Sequence, residues 1–208
     1  AILARFKGRR LPMVDEVRGS IIEESPPMWL SFLNGQVDAL ATNAGRVPPE
    51  FLAQAMPGGK LAPYLAKRGI QGARTLNPDS GLAFFNMEDP VVGGYTPDKI
   101  ALRRAIGLAY DVSIEINQIR RGGTPAQSPV VPHTTGYDPK FKSEMGEYSP
   151  ARAKALLDTY GYVDRDGDGW RDLPDGKPLV LEMATEPDQL KRKFDELWKK
   201  NMSAIGIQ

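Results

Sequence analysis

The sequence contains no cysteine and only one histidine, His133. Without thiols there is no disulfide framework, no thiolate metal site and no thiol nucleophile. A lone imidazole cannot build a two-histidine metal site. A serine triad would have to use His133, yet no Gly-x-Ser-x-Gly elbow occurs and Pro132-His133-Thr134-Thr135-Gly136 reads as a loop. No catalytic residue and no cofactor are therefore expected. Charge of one sign is lacking as well: 27 basic residues face 26 acidic ones, scattered along the chain, for a net charge of +1. No basic face is left to track phosphates, so nucleic acid is a poor partner. Long apolar runs are missing, none reaching the roughly 18 to 20 residues that span a bilayer. Residues 1–10 are basic without the apolar centre of a signal peptide. A cysteine-free chain suits a reducing cytosol and a bacterial periplasm equally, which leaves the compartment open.

Patterning supplies the positive content. Glu16 to Glu23, Val37 to Thr42, Leu82 to Met87 and Leu179 to Ala184 read as strands, by alternation or by apolar and aromatic content. Helices are punctuated by proline at their starts. Ser25-Pro26 opens one that closes near Gly35, and Thr96-Pro97 opens another with Ile100, Leu102, Ala105, Ile106 and Ala109 as an apolar stripe. Asp111 caps the next, which ends at Gly122-Gly123. Ser149-Pro150 starts a helix stopped by Gly161, and a last helix runs from Pro187 to about Ile205. A short helix is expected around Glu50 to Met56. Pro125 to Pro139 reads as a long proline-rich loop. Interleaved strands and helices predict a layered α/β fold, a mixed sheet with flanking helices. No composition break divides the chain, so residues 1–208 read as one domain.

The sharpest local motif is Asp164-Arg165-Asp166-Gly167-Asp168-Gly169, followed by Asp175. Carboxylates at positions one, three and five with glycine at six match a calcium loop. Against this, the twelfth position holds an aspartate where a longer glutamate normally closes the shell, and Pro174 precedes it. The plainer reading is an open turn, in which Asp and Gly tolerate left-handed backbone. Both readings stand at this point, and no metal ligand is assigned. Trp29 and Trp198 fall on helix faces and are expected in the core. The Lys191-Arg192-Lys193 and Lys199-Lys200 runs, balanced by Asp188, Asp195 and Glu196, read as a solvated face.

From Leu82 onward the order of features resembles the family 5 extracellular solute-binding proteins, the dipeptide and oligopeptide binders of ABC importers. The resemblance rests on Phe84-Phe85-Asn86-Met87, then Leu102-Arg103-Arg104-Ala105-Ile106 with Ala109-Tyr110-Asp111, then Gly123-Thr124-Pro125-Ala126 and Gly136-Tyr137-Asp138-Pro139. It continues through Tyr148-Ser149-Pro150, Tyr160-Gly161-Tyr162, the Asp-Gly turn and Ile205-Gly206-Ile207. Gly35-Gln36-Val37-Asp38 is similar to a further family element upstream. The resemblance implies a single lobe, the second one, of a type II periplasmic-binding-protein-like fold, with the first lobe absent from this chain. It also implies binding without catalysis, a small-molecule or peptide ligand enclosed by closure of two lobes, an ABC permease as partner, a monomer, and a periplasmic or membrane-anchored location. Ligand contacts are expected at Thr185 and Glu186, at Thr124 and His133, and more weakly at Asn86. The alternative function is a calcium-stabilised structural or interaction module built on Asp164 to Asp175.

Overall fold

The computed structural model describes residues 6–10, 12–40, 47–73, 78–187 and 189–208, without the side chain of Met145. Two compact units emerge, residues 1–57 and residues 58–208.

In the first unit, α1 (Ser25–Leu33) and α2 (Pro49–Ala55) both carry proline in their first turn, where the missing N–H has no intrahelical partner to lose. α1 begins with Glu24, not Ser25, at its cap position, and Gly35 turns the chain away at φ +73°. Trp29 is buried, stacked between Phe32 at 5.7 Å and Phe51 at 5.6 Å. The core assignment for Trp29 thus holds.

The second unit contains α3 (Pro63–Ala66), α4 (Pro97–Ala109), α5 (Val112–Ile114), α6 (Pro150–Thr159) and α7 (Gln189–Ala204). α5 runs directly into a π-helix, Glu115–Arg120. α4 buries Leu102, Ala105, Ile106 and Ala109, spaced to share one face, chiefly against Ala153 and Leu157 of α6. The alanines at 105 and 153 have no exposed surface, so the two helices approach closely. Ile100 lies outside this stripe, 40% exposed. Tyr162, Leu179, Met202, Ile205 and Ile207 complete the core. The Tyr162 hydroxyl donates to the Asp98 carbonyl at 3.2 Å, and burial pushes the phenol up to about 12.

Polar clamps hold the loops to this core. Asp89 accepts the N–H groups of Val91 and Val92, each at 2.8 Å, and Gly93 is packed so tightly that a Cβ would strike the carbonyls of Met87 and Asp89. Arg103 donates to the carbonyls of Val92 and Gly94, and Lys99 to those of Pro90 and Val91. Arg171 does the same for the far end of the chain. Its Nε donates to the Ile205 carbonyl at 2.7 Å and its Nη1 to Asp158 at 2.6 Å and to the Tyr162 carbonyl, while its own N–H meets the Gly206 carbonyl.

The α/β expectation is overturned: among the described residues no strand and no sheet forms, and the pairing observed is an isolated antiparallel bridge between Asp172 and Pro178. A strand exists only when a neighbour takes its N–H and C=O groups in a ladder. Leu179 and Leu181 donate to the carbonyls of Arg171 and Gln208, two separate ties that belong to different segments. Residues 82–87 and 16–23 have no ladder along them, and Phe84, Val17 and Ile21 are each at least 85% exposed. Alternation is nevertheless real in part. Phe85 and Leu181 pack on the helical core while Leu82, Phe84, Val180 and Met183 point to solvent. Leu82 to Met87, expected as a buried strand, is instead two-faced, and among the described residues no partner strand lies beside it. Of the expected strand 37–42, residues 41 and 42 lie outside the described residues, as does Asp188 before α7.

Replacing Arg171 with alanine deletes three donors to groups with few alternatives, so a loss of about 3 kcal/mol is expected by chemical denaturation. Arg171→Lys should recover only part of it, because an ammonium cannot span the Asp158, Tyr162 and Ile205 acceptors as a planar fork does.

Candidate functional site

The expected contact residues fall on three stretches of the second unit, Asn86 standing apart from the other four. The first is the proline-rich segment that follows the π-helix. Arg121 ends that helix in left-handed backbone at φ +52°, and Gly123 at φ +105° turns the chain again before Thr124, which is exposed. Gln127 then closes a loop on itself, its Oε1 accepting the Ser143 N–H at 2.9 Å. Sequence patterning gave no hint of that staple, since it joins residues sixteen apart. Within the loop, Val131 to Thr134 makes a tight turn: the Thr134 N–H and hydroxyl both reach the Val131 carbonyl, at 3.3 and 2.6 Å. Pro132 and His133 occupy its two central positions, and His133 sits at φ +66°, a conformation that favours glycine. Its imidazole is exposed and makes no hydrogen bond to a hydroxyl or carboxylate among the described residues. A nucleophile–base pair is not assembled there.

The second stretch precedes α7. Thr185 and Glu186 lie outside the helix, which begins at Gln189. The Thr185 hydroxyl bonds Asp195 at 3.1 Å, and Glu186 faces Lys191 at 3.7 Å, so both are turned toward α7 residues. Asn86 is exposed and accepts the Glu88 N–H at 3.1 Å, a turn role. Among the described residues no hydrogen bond or ion pair joins the Thr124–His133 loop to Thr185 or Glu186.

Elsewhere, an open hollow of ≈ 250 Å³ between α4 and α6 is lined by Arg104, Leu108, Glu144 and Arg152. Both arginines pair with Glu144, at 2.7 and 2.9 Å, and Arg152 also with Glu147. Arg104 holds the Glu144 carboxyl below the usual carboxylate range. Both arginines of the hollow are thus already engaged by carboxylates, Arg104 by Glu144 and Arg152 by Glu144 and Glu147.

The acidic motif folds as a series of Asx turns. Asp164 accepts the N–H groups of Gly167 and Gly169, Asp166 that of Asp168, and Asp168 that of Trp170. Gly167 and Gly169 take φ +82° and +92°. The carboxylates of Asp164, Asp166 and Asp168 lie within 4.8 Å of one another, all exposed. Asp175 is not among them: it accepts the Lys177 ammonium at 2.8 Å, which holds its carboxyl below the ordinary range. The turn reading describes the backbone fully, and the three-carboxylate cluster keeps the spacing of the calcium reading without its twelfth position.

One grouping escaped sequence reasoning altogether. Tyr110, at the end of α4, stacks on Trp198 of α7 at 4.2 Å and donates its hydroxyl to Glu115, which also receives Arg120 Nε at 2.5 Å. The Arg120 guanidinium lies 4.6 Å over the Phe194 ring, and Asn201, 5% exposed, accepts the Asp111 N–H at 2.9 Å. Trp198 therefore packs against the core, as expected, but with a specific ring partner.

Comparison with known proteins gives one family. Residues 2–208 match the bacterial extracellular solute-binding proteins, family 5 Middle. No curated protein matches the sequence. Among solved structures, the chain is similar to the oligopeptide-binding protein AppA from Bacillus subtilis in complex with a nonapeptide, at 18% identity and a TM-score of 0.62 over 90% of this chain and 34% of that one. It is similar also to NikA from Brucella suis in complex with Fe(III)-EDTA, at 18% identity and a TM-score of 0.66 over 95% of this chain and 36% of that one. The chain thus spans about a third of the length of either protein. At this identity the likeness speaks to fold.

Two outcomes follow from the local geometry. His133→Gly should leave the fold intact and raise stability by up to about 1 kcal/mol in thermal melts, because glycine enters left-handed backbone without a Cβ penalty. Glu144 titrates below its unfolded value, so its contribution is complete above the usual carboxylate range and fades as pH falls through the lower folded value. Melting curves should therefore separate the parent from Glu144→Gln near neutral pH and converge as pH falls below the ordinary carboxylate range.

Proposed function

The chain belongs to the bacterial extracellular solute-binding proteins, family 5, and from that premise we propose that it serves as one lobe, the second, of a binder that delivers a solute to an ABC importer. The observation that carries the proposal is the family match over residues 2–208, in a chain whose described hollows are open and whose only imidazole is exposed and unpartnered. We read it as a binder and not an enzyme. Catalysis would need groups converging on one enclosed space, whereas binding between lobes needs a contact surface that becomes a pocket only when covered.

The ligand class that fits best is a peptide, the kind bound by AppA, while NikA with its Fe(III)-EDTA marks how different a solute the same fold can carry. Thr124 and His133 on the stapled loop, Thr185 and Glu186 before α7 and, with less weight, Asn86 are the contacts we propose. Closure follows the usual logic: solute that binds the closed form better than the open form shifts the population toward closure, and the closed form docks on the permease. The outward side chains of Leu82, Phe84, Val180 and Met183 suit a face that is covered in the whole protein. Such a protein works in the periplasm or tethered at the outer membrane surface of the cytoplasmic membrane, as a monomer, and takes no nucleic acid.

A second reading, the calcium-stabilised module, draws on the carboxylates of Asp164, Asp166 and Asp168. Calorimetric titration separates it: millimolar calcium that binds and raises the melting temperature, with loss of both on Asp166→Asn, would favour it.

The main reading is tested on the two-lobed protein that contains this chain. Native mass spectrometry should find a solute released on denaturation, and Thr124→Ala with His133→Gly should weaken rebinding of that solute by about tenfold while melting is preserved. The isolated 208-residue chain should bind it too weakly to saturate. Saturable micromolar binding by the isolated chain, or a two-lobed protein that holds no solute, would defeat the reading.

A further inference from the structure

The segment Glu115–Arg120 is a π-helix between a short α-turn and a left-handed residue. Such i→i+5 turns are rare and need something to hold them. Here the Ile116 carbonyl takes the N–H of Arg121 at i+5 and of Gly122 at i+6. The side chains explain the register. In an α-helix, residues five apart point about 140° away from each other. Under the wider π repeat they stand nearly one above the other, and so Glu115 and Arg120 meet at 2.5 Å. Tyr110 takes the other Glu115 oxygen, its own ring stacked on Trp198, and Arg120 continues onto the face of Phe194. Phe194 and Trp198 are four apart on α7 and form one surface that receives both. Burial and the Glu115 carboxylate push the Tyr110 phenol up, which keeps it a donor throughout the physiological range.

We propose that Glu115–Arg120 is a two-register switch, held in its π form by the Tyr110–Glu115–Arg120 clasp against α7. Release lets the segment tighten to an α-turn, which swings Arg120 off Phe194 and shifts the chain from Arg121 onward by one position of the helix. What moves is the start of the proline-rich loop at Gly122, and with it Thr124. Gly81 runs alongside, since a Cβ there would lie 3.6 Å from Arg120 Nη2, so the stretch before Leu82 also feels the register. The switch does not depend on what the loop binds. If the loop does contact solute, the register sets where its first residues stand.

Only Glu115 and Tyr110 need be altered to see this. In the whole protein, Glu115→Gln keeps the shape and removes the ion pair, while Tyr110→Phe deletes one hydroxyl. Hydrogen exchange followed by mass spectrometry should show residues 116–123 exchanging about tenfold faster in Glu115→Gln, as expected for loss of a charge-assisted bond, with α4 and α6 unchanged. Trypsin should cleave after Arg120 and Arg121 faster to the same degree, with Arg103 and Arg104 still protected. Tyr110→Phe should give a smaller effect in the same place, and it decides the matter if Glu115→Gln does not fold. Unchanged exchange at 116–123 in the folded variants, or acceleration there only in step with α4, would overturn the proposal.

Discussion

The second unit is organised around the Arg171 guanidinium. Its donors reach α6 through Asp158, the chain after α6 through Tyr162, and the residues after α7 through Ile205. Asp158 and Tyr162 lie within 13 residues of Arg171, whereas Ile205 is 34 away, and neither a ladder among the described residues nor a disulfide makes that longer connection. With 13% of its side chain exposed, the guanidinium is sheltered from water, and its charge-assisted bonds count for more than surface ones. Gly206 shows how close the fit is, because a Cβ there would come within 3.3 Å of the Arg171 side chain. The apolar core alone would hold α4 on α6. Met202, Ile205 and Ile207 bring the end of α7 into the same core, and Arg171 adds the polar tie that helps fix the face on which Phe194, Trp198 and Asn201 sit.

Helices were legible because their ends are written in residues that act locally. Proline in the first turn of α1, α2, α4 and α6, Asp111 accepting from Ser113 and Ile114, and Gly161 at φ +81° each act within a few positions. Even there the chemistry differs in detail: Thr96 holds the cap position of α4 without bonding its N–H groups, and its hydroxyl serves the Asp98 carboxylate instead. Strands were not legible. Leu82 to Met87 and Leu179 to Ala184 have the right side chains, but strand formation depends on a distant partner, and composition says nothing about whether one lies alongside.

The proposed contact residues are suggested by resemblance alone. Thr124, His133, Thr185, Glu186 and Asn86 have no local pattern that distinguishes them from ordinary loop residues, and the structure places them on three separate non-helical segments. The Tyr110–Glu115–Arg120 clasp was hidden for a different reason. Its members recur at a spacing of five, which no helical or strand template scans; Glu115 meets Arg120 because the backbone widens, and Tyr110 reaches Glu115 from extended backbone before the helix.

Extended stretches whose one side rests on helices while the other shows Leu82, Phe84, Val180 and Met183 to water have a practical corollary. Unladdered backbone flanked by apolar side chains is what neighbouring molecules zip onto. At high concentration the 208-residue chain by itself will lose material to precipitation through these stretches, and charged substitutions at positions 84 and 183 are the remedy when soluble yield matters.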